Sequence, residues 1–353
     1  MKVPGFEDIF YYRHSLGANC VVYAFKRDDG ALDMIDTGIC YARPVLANVV
    51  RRMARDGLDF HSVKSIFHTH GHFDHCQADK WFIERSIFDN VKVYCPASDA
   101  WRLQHGNDAR QLGYFLAHIK KYLQLGTDEM LSRGGFGSIA WQFRFFISRL
   151  MKIPPLKSGR VFPLHEGETI RIGAYDGRVI TTGGHTDGHS FFHLPGIDTL
   201  VIGDHDAVNE LTCDYRRIIK AAAIIRDLDP KVCLVGHQGL PATRRACQAK
   251  TENWFSKLRR VVEIIAYAAN RFDNKLPMSY FLKKMLGYMQ SINWLRYWAF
   301  QNLFVITKFI VDEDIGTVTF DEAKGDLVLV VSSKAMHDFL ENLDVRVAAM
   351  KVL

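Results

Sequence analysis

A chain of 353 residues that is 48% hydrophobic can bury the cores of about two domains, which excludes wholesale disorder. A formal net charge of +6 permits an anionic substrate or surface and demands neither. The seven cysteines (Cys20, Cys40, Cys76, Cys95, Cys213, Cys233, Cys247) are odd in number, dispersed and without a Cys-x-x-Cys pair, which argues against a disulfide framework and for reduced thiols.

The opening residues Met1 to Asp8 contain no apolar run, so no secretory signal is expected and a cytoplasmic location is. The most membrane-like window, Ile292 to Val311, carries Arg296, Gln301, Asn302 and Lys308. It is too polar for a transmembrane span and reads as a buried helix.

In chain order, Ile9–Tyr12 and Asn19–Phe25 carry strand-type residues. Asp28-Asp29-Gly30 is a hairpin-turn signal, and Ala31–Ile35 runs into Asp36-Thr37-Gly38. Arg43–Leu58 is expected to be helical, with Val45, Leu46, Val49, Val50 and Met53 on one face. Val63–Phe67 reads as a strand, and the segment from Gln77 as the start of a helix. Between them lies His70-Gly71-His72-Phe73-Asp74-His75. Three imidazoles and a carboxylate in six residues cannot all be buried without a partner. Their donor atoms suit a borderline divalent ion such as zinc. A turn there lets His70 and His72 point one way and Asp74 and His75 another, which suits two adjacent ions better than one.

Val91–Cys95 is a further strand, and the alternation suggests sheets with helices packed outside. Residues 100–157 break the rhythm. Trp101–Tyr122 and Ile139–Met151 read as helices, and Pro154-Pro155 ends the second. Trp141, Phe143, Phe145 and Phe146 make this helical insertion a candidate lid over an apolar pocket. The other readings are core, a homodimer face or a membrane-surface helix.

Strands then return: Thr169–Ile172, Arg178–Thr181, Thr199–Ile202 and Val232–Val235. Three of them lead into Gly183-Gly184-His185, Gly203-Asp204 and Gly236-His237. Glycine allows the sharp turn that brings the next side chain to a sheet edge. From Pro241 the composition is helical. Thr251–Ala269, a helix starting at Pro277 and one over Ile292–Lys308 are expected. Strands Ile315–Phe320 and Leu327–Val331 follow, around Lys324-Gly325-Asp326.

His-x-His-x-Asp-His after a strand, with Thr69 before it, resembles the signature of the metallo-β-lactamase superfamily. The resemblance covers residues 8–240 apart from the insertion. It implies an α/β fold, a four-layer αββα sandwich over 1–240. The helices and hairpin of 241–353 resemble a winged-helix-like module that some members append. Carried over by position, His70, His72 and His185 would hold one metal and Asp74, His75 and His237 a second, with Asp204 bridging. Asp36 would lie beneath the site, and Asn19 falls where relatives often carry an asparagine. The implied cofactors are two divalent ions, zinc first, with iron or manganese as alternatives.

The implied chemistry is a metal-bridging hydroxide attacking an ester, thioester or lactone carbonyl of a small acyl substrate. Asp74 would orient the nucleophile. His205, with Asp206, is a candidate proton shuttle or substrate contact. His68 stands where relatives carry an apolar residue and reads as a satisfied core histidine; His189 reads as structural and Cys76 as a small packed residue. The glycine usual after the signature is missing, since Cys76-Gln77-Ala78-Asp79 follows. Two competing activities share the scaffold: nucleic-acid phosphodiester cleavage, motivated by Arg244, Arg245, Lys250, Lys257, Arg259 and Arg260, and mononuclear iron sulfur dioxygenation. A non-enzymatic reading makes the C-terminal module the working part. No nucleotide-binding glycine motif is present, so no cofactor beyond metal is expected.

Overall fold

The computed structural model describes residues 1–14, 20–40, 43–106, 152–157, 159–205, 214–237, 242–277, 280, 308–321 and 326–351. They fall into two compact units. The first takes in Met1–Asp108, Ser148–His205 and Arg216–Gln248, and the described residues of the second are Asp214, Tyr215 and those from Ala249 onward.

The first unit contains two six-stranded sheets. One runs in the order β1 (Ile9–Arg13), β2 (Val21–Lys26), β3 (Leu32–Ile35), β4 (Val63–Phe67), β5 (Lys92–Pro96), β6 (Val161–Leu164). Its first two pairings are antiparallel and the rest are parallel. The other runs β12 (Ala242–Thr243), β11 (Val232–Val235), β10 (Thr199–Gly203), β9 (Ser190–Leu194), β8 (Tyr175–Thr181), β7 (Thr169–Ile172), with β10 and β11 parallel.

Burial on both faces explains why β2 and β10 read as continuous apolar runs, whereas the outer strand β7 alternates buried and exposed residues. In β2, Val21, Tyr23 and Phe25 join a cluster with Val179, Phe192, Leu194, Val201 and Leu234 of the second sheet. Val22 and Ala24 face the other way, into a cluster with Leu46, Val49 and Met53 of helix α1 (Arg43–Arg55). Cys76 of α2 (Phe73–Cys76), Phe82 of α3 (Asp79–Ile83) and Leu103 of α4 (Ala100–His105) belong to that cluster too. On the far side of the second sheet, Phe191, Leu200, Ile202, Cys233 and Val235 pack with Ala221 and Ile225 of α5 (Tyr215–Leu228). Helix, sheet, sheet and helix make the expected four layers.

The remaining described residues include α6 (Arg244–Asn270), a three-stranded antiparallel sheet in the order β13 (Lys275–Pro277), β15 (Asp326–Val331), β14 (Gly316–Asp321), and α7 (Ser333–Lys351). Leu276, Phe309, Ile315, Leu329 and Met336 are buried there.

Several expectations need correction. Pro277 itself ends a strand, because Leu276 pairs with Leu329 and a proline is tolerated on a sheet edge; Tyr280 is helical, so the start of the expected helix moves beyond Pro277. The helix expected over Trp101–Tyr122 stops at His105, where Gly106 takes φ 73°; residues 107–122 lie outside the described residues. Arg43–Leu58 ends at Arg55, ahead of Gly57 with φ 72°. Helices α5 and α7 and strands β6 and β9 were not anticipated. The aromatic insertion helix, residues 278–279 and 281–307, and the tip 322–325 lie outside the described residues, so the winged-helix-like module stays an expectation. Among the described residues no helix is long and apolar enough to cross a membrane.

Candidate metal centre

The site forms where chain segments leave the sheets. Strand β4 ends at Phe67, and His70 and His72 occupy the loop that follows, while α2 carries Asp74 and His75. His185 lies between β8 and β9, Asp204 directly after β10, and His237 just after β11. The two sheets are stitched at this end. Cys20 bridges His237 in antiparallel fashion, the Val21 amide donates to the Gly236 carbonyl at 2.7 Å, and the Tyr23 hydroxyl donates to the Val235 carbonyl at 2.8 Å.

Two glycines make the approach possible. Gly203 has φ 47°, and a Cβ there would stand 2.5 Å from Thr69 Oγ1. A Cβ on Gly236 would collide with Asp204 Oδ1. Both positions therefore require the absence of a side chain.

All seven expected metal-ligating residues come together. Donor atoms of His70, His72 and His185 lie within 4.8 Å of one another, as do those of His70, His75 and Asp204 and those of Asp74, His75 and His237. Asp204 Oδ2 is the common point: it is 2.8 Å from His237 Nε2, 3.4 Å from His75 Nε2, 3.5 Å from His185 Nε2 and 4.0 Å from His70 Nε2. Asp74 Oδ2 lies 3.3 Å from His237 Nε2. Six of the seven are buried, and His237 is partly so.

The donor set fits a divalent metal. His70 Nε2 and Asp204 Oδ1 are buried without a hydrogen-bond partner, a costly state for a polar atom unless something else engages it. Charge points the same way. Burial pushes the His70 and His72 pKa values well down, and neighbouring imidazoles add to it, so both rings are neutral donors. At His75 and His237 burial opposes the charged form, but the surrounding acidic groups, Asp204 among them, raise both well above the ordinary value. Burial likewise opposes ionisation of Asp204, yet His237 and His75 hold it well below the carboxylate range. Two buried carboxylates thus call for positive charge, which either protons or metal ions can supply.

A surrounding layer fixes the ligands. The Thr69 hydroxyl lies 3.1 Å from His70 Nδ1, leaving Nε2 for the centre. Asp36, in the left-handed region at φ 58°, takes His75 Nδ1 on Oδ2 at 2.7 Å and His68 Nδ1 on Oδ1 at 3.2 Å. His68 Nε2 meets the Asp79 oxygens at 3.0 and 2.9 Å. Burial disfavours a charged His68, yet Asp79 and Asp36 outweigh it and raise its pKa to about 9. Asp99 Oδ2 accepts the Gly71 amide at 2.9 Å and the Thr186 hydroxyl at 2.6 Å, clamping the signature loop to the loop of His185.

His205 is buried beside Phe191, with ring centroids 5.6 Å apart, and Asp206 and Asn19 lie outside the described residues. His189 is tied to the Thr182 hydroxyl at 2.8 Å, and Cys76 is buried with Sγ 3.5 Å from the His70 carbonyl. Asp79, Asp99 and His14 escaped sequence reasoning. An aspartate near a helix start reads as an ordinary helix signal, and only the fold aims Asp99 and Asp79 inward. His14 is wholly buried with neither ring nitrogen hydrogen-bonded, and burial depresses its pKa to about 4.

Comparison with known proteins agrees with this architecture. The family model described as the metallo-beta-lactamase superfamily matches residues 16–237. The chain belongs to that superfamily. It is similar in structure to a metallo-beta-lactamase family protein from Thermus thermophilus (TM-score 0.61, 16% identity, 92% of this chain and 98% of that one). It is also similar to a beta-lactamase domain protein from Burkholderia ambifaria (TM-score 0.64, 14% identity, 93% and 92%). In sequence, 53 residues are 43% identical to hydroxyacylglutathione hydrolase of Cereibacter sphaeroides, covering 15% of this chain and 19% of that enzyme; the Jannaschia sp. enzyme of the same name matches to the same extent. The match thus spans about a fifth of those relatives.

Proposed function

We propose that the protein is a binuclear metal-dependent hydrolase of carboxylic esters, thioesters or lactones. In this reading His70, His72 and His185 hold one metal, Asp74, His75 and His237 hold the other, and Asp204 lies between. The observation that carries it is the position of Asp204 Oδ2 among imidazole nitrogens from both triplets, at 2.8 to 4.0 Å. These residues would hold two divalent cations, zinc first and iron or manganese as alternatives, which would supply an acidified water and a Lewis acid for the carbonyl oxygen.

The chain's own contribution is orientation. Neutral imidazoles hold the cations without cancelling their charge. Asp74, beside His237, offers a carboxylate oxygen to hold the proton of the attacking water. Buried His205, next in sequence to Asp204, is assigned the relay of a proton to the leaving group. Among the three substrate types, the short match to enzymes named for an acylglutathione favours a thioester of a small acyl compound. The catalytic part is assigned to 1–240 and an appended domain to 241–353, in a cytoplasmic protein.

The test is turnover of a panel of aryl esters, acyl thioesters and lactones by protein stripped with chelator and reloaded with zinc, manganese or iron. Metal-restored hydrolysis of at least one class is expected. Failure with all three metals across the panel refutes the reading.

A further inference from the structure

The geometry points to His68 as a positioning residue for the second metal position: held between Asp36 and Asp79, it fixes the Asp36 carboxylate that orients His75. The inference rests on the two-metal reading above. That Asp36 lies beneath the site is implied by the family; the part played by His68 and Asp79 is not.

Hydrogen bonds form a closed circuit. His75 Nδ1 meets Asp36 Oδ2 at 2.7 Å, and Asp36 Oδ1 meets His68 Nδ1 at 3.2 Å. His68 Nε2 meets both Asp79 oxygens, at 3.0 and 2.9 Å. The Thr37 hydroxyl lies 2.7 Å from Asp79 Oδ1 and 3.0 Å from the His75 carbonyl, which returns the circuit to its start. His68 and Thr37 are wholly buried, and Asp36 and Asp79 are 2% exposed.

Each link has a consequence. With Asp36 Oδ2 on His75 Nδ1, the other ring nitrogen is left for the metal position. With His68 on Oδ1, the carboxylate cannot rotate away from that task. Asp79, at the first turn of α3, holds His68 from the opposite side. The four residues come from the end of β3, the end of β4 and the start of α3, so the circuit ties the ligand helix α2 to the sheet. His68, Cys76 and Asp79 also lie close enough to resemble a metal triplet of their own. Both His68 nitrogens are already turned to carboxylates, so that triplet is better read as part of the support.

The opposite position is backed differently: His70 Nδ1 meets the Thr69 hydroxyl at 3.1 Å. Loss of His68 should therefore affect one position and spare the other.

The test is calorimetric and spectroscopic titration of the full-length apoprotein with cobalt(II), for wild type, His68→Leu, His68→Gln and Asp79→Asn, with thermal melts as folding controls. The expected result is two equivalents in the wild type. In His68→Leu the second equivalent should bind about 10- to 100-fold more weakly while the first is unchanged. His68→Gln, which keeps one donor, should recover part of the loss, and Asp79→Asn should weaken the same equivalent. If His68→Leu does not fold, His68→Gln and Asp79→Asn carry the comparison. Unaltered binding of the second equivalent in the folded variants overturns the assignment. So does equal weakening of both equivalents, the mark of general loosening. A wild type that takes up fewer than two equivalents sinks the two-metal reading first, and the role of His68 with it.

Discussion

The two ends of the donor cluster are supported by different physics. Around His70, His72 and His185 the support bears mostly on loops: the Thr69 hydroxyl sets the His70 ring, and the Asp99 carboxylate, 3.7 Å from Arg102, clamps the Gly71 amide and the Thr186 hydroxyl. Around His75 the support is ionic, with Asp36 directly on the ring and His68 and Asp79 behind it. At one end a carboxylate holds the loops that carry the donors, at the other a carboxylate holds a donor ring itself. The two ends should therefore fail separately.

The largest effect is expected where the ends meet. Asp204→Ala removes the oxygen common to both triplets. Turnover should fall by at least ~10³-fold, about 4 kcal/mol of barrier, and elemental analysis of the dialysed variant should show both metals depleted. Retention of both metals would show that Asp204 does not join the two ends.

Next come changes that separate them. His185→Ala should lose one metal equivalent and keep the one near Asp74, whereas His237→Ala should do the reverse. Selective cobalt spectra of the two variants should differ; identical spectra would mean that the ends are not distinct positions.

Asp99→Ala tests the loop-clamped end. Two buried donors, the Gly71 amide and the Thr186 hydroxyl, lose their acceptor, which should cost about 3 kcal/mol of stability. Denaturant unfolding measures this, and a change under about 1 kcal/mol would show that the clamp is dispensable.

His14 offers a smaller, pH-dependent effect near the ionic end, where the charges of His75 and Asp74 act on it in opposite directions. Burial depresses its pKa from 6.5 to about 4, so the native fold keeps it neutral. A depressed native value means the unfolded chain binds the proton first. The contribution is complete above pH 6.5 and is lost as pH falls towards 4. Between pH 6.5 and 5 it should amount to roughly 2 kcal/mol. In His14→Gln the slope of stability against pH over that window should be shallower, and an unchanged slope would remove His14 from the acid sensitivity.

Much of this was legible in the sequence because metal ligation has little freedom. The signature fixes four donors within six residues, and the glycine-preceded Asp204 and His237 follow buried apolar strands, while His185 follows the alternating strand β8. What escaped depended on tertiary aim. Asp79 and Asp99 read as helix-start residues and become buried acceptors only when α3 and α4 pack on the sheet. His68 read as a satisfied core histidine, and it is satisfied, by the carboxylates of Asp36 and Asp79, the first of which also meets the His75 ring. Pro277 carried a helix-start signal, and pairing of its neighbour Leu276 with Leu329 keeps Pro277 in a strand, with helix at Tyr280.

The most direct test of the central claim is anomalous diffraction from crystals of the zinc-loaded protein. Two peaks are predicted, one against His70, His72 and His185 and the other against Asp74, His75 and His237, with Asp204 reaching both. A single peak, or zinc bound away from Asp204, would contradict the account.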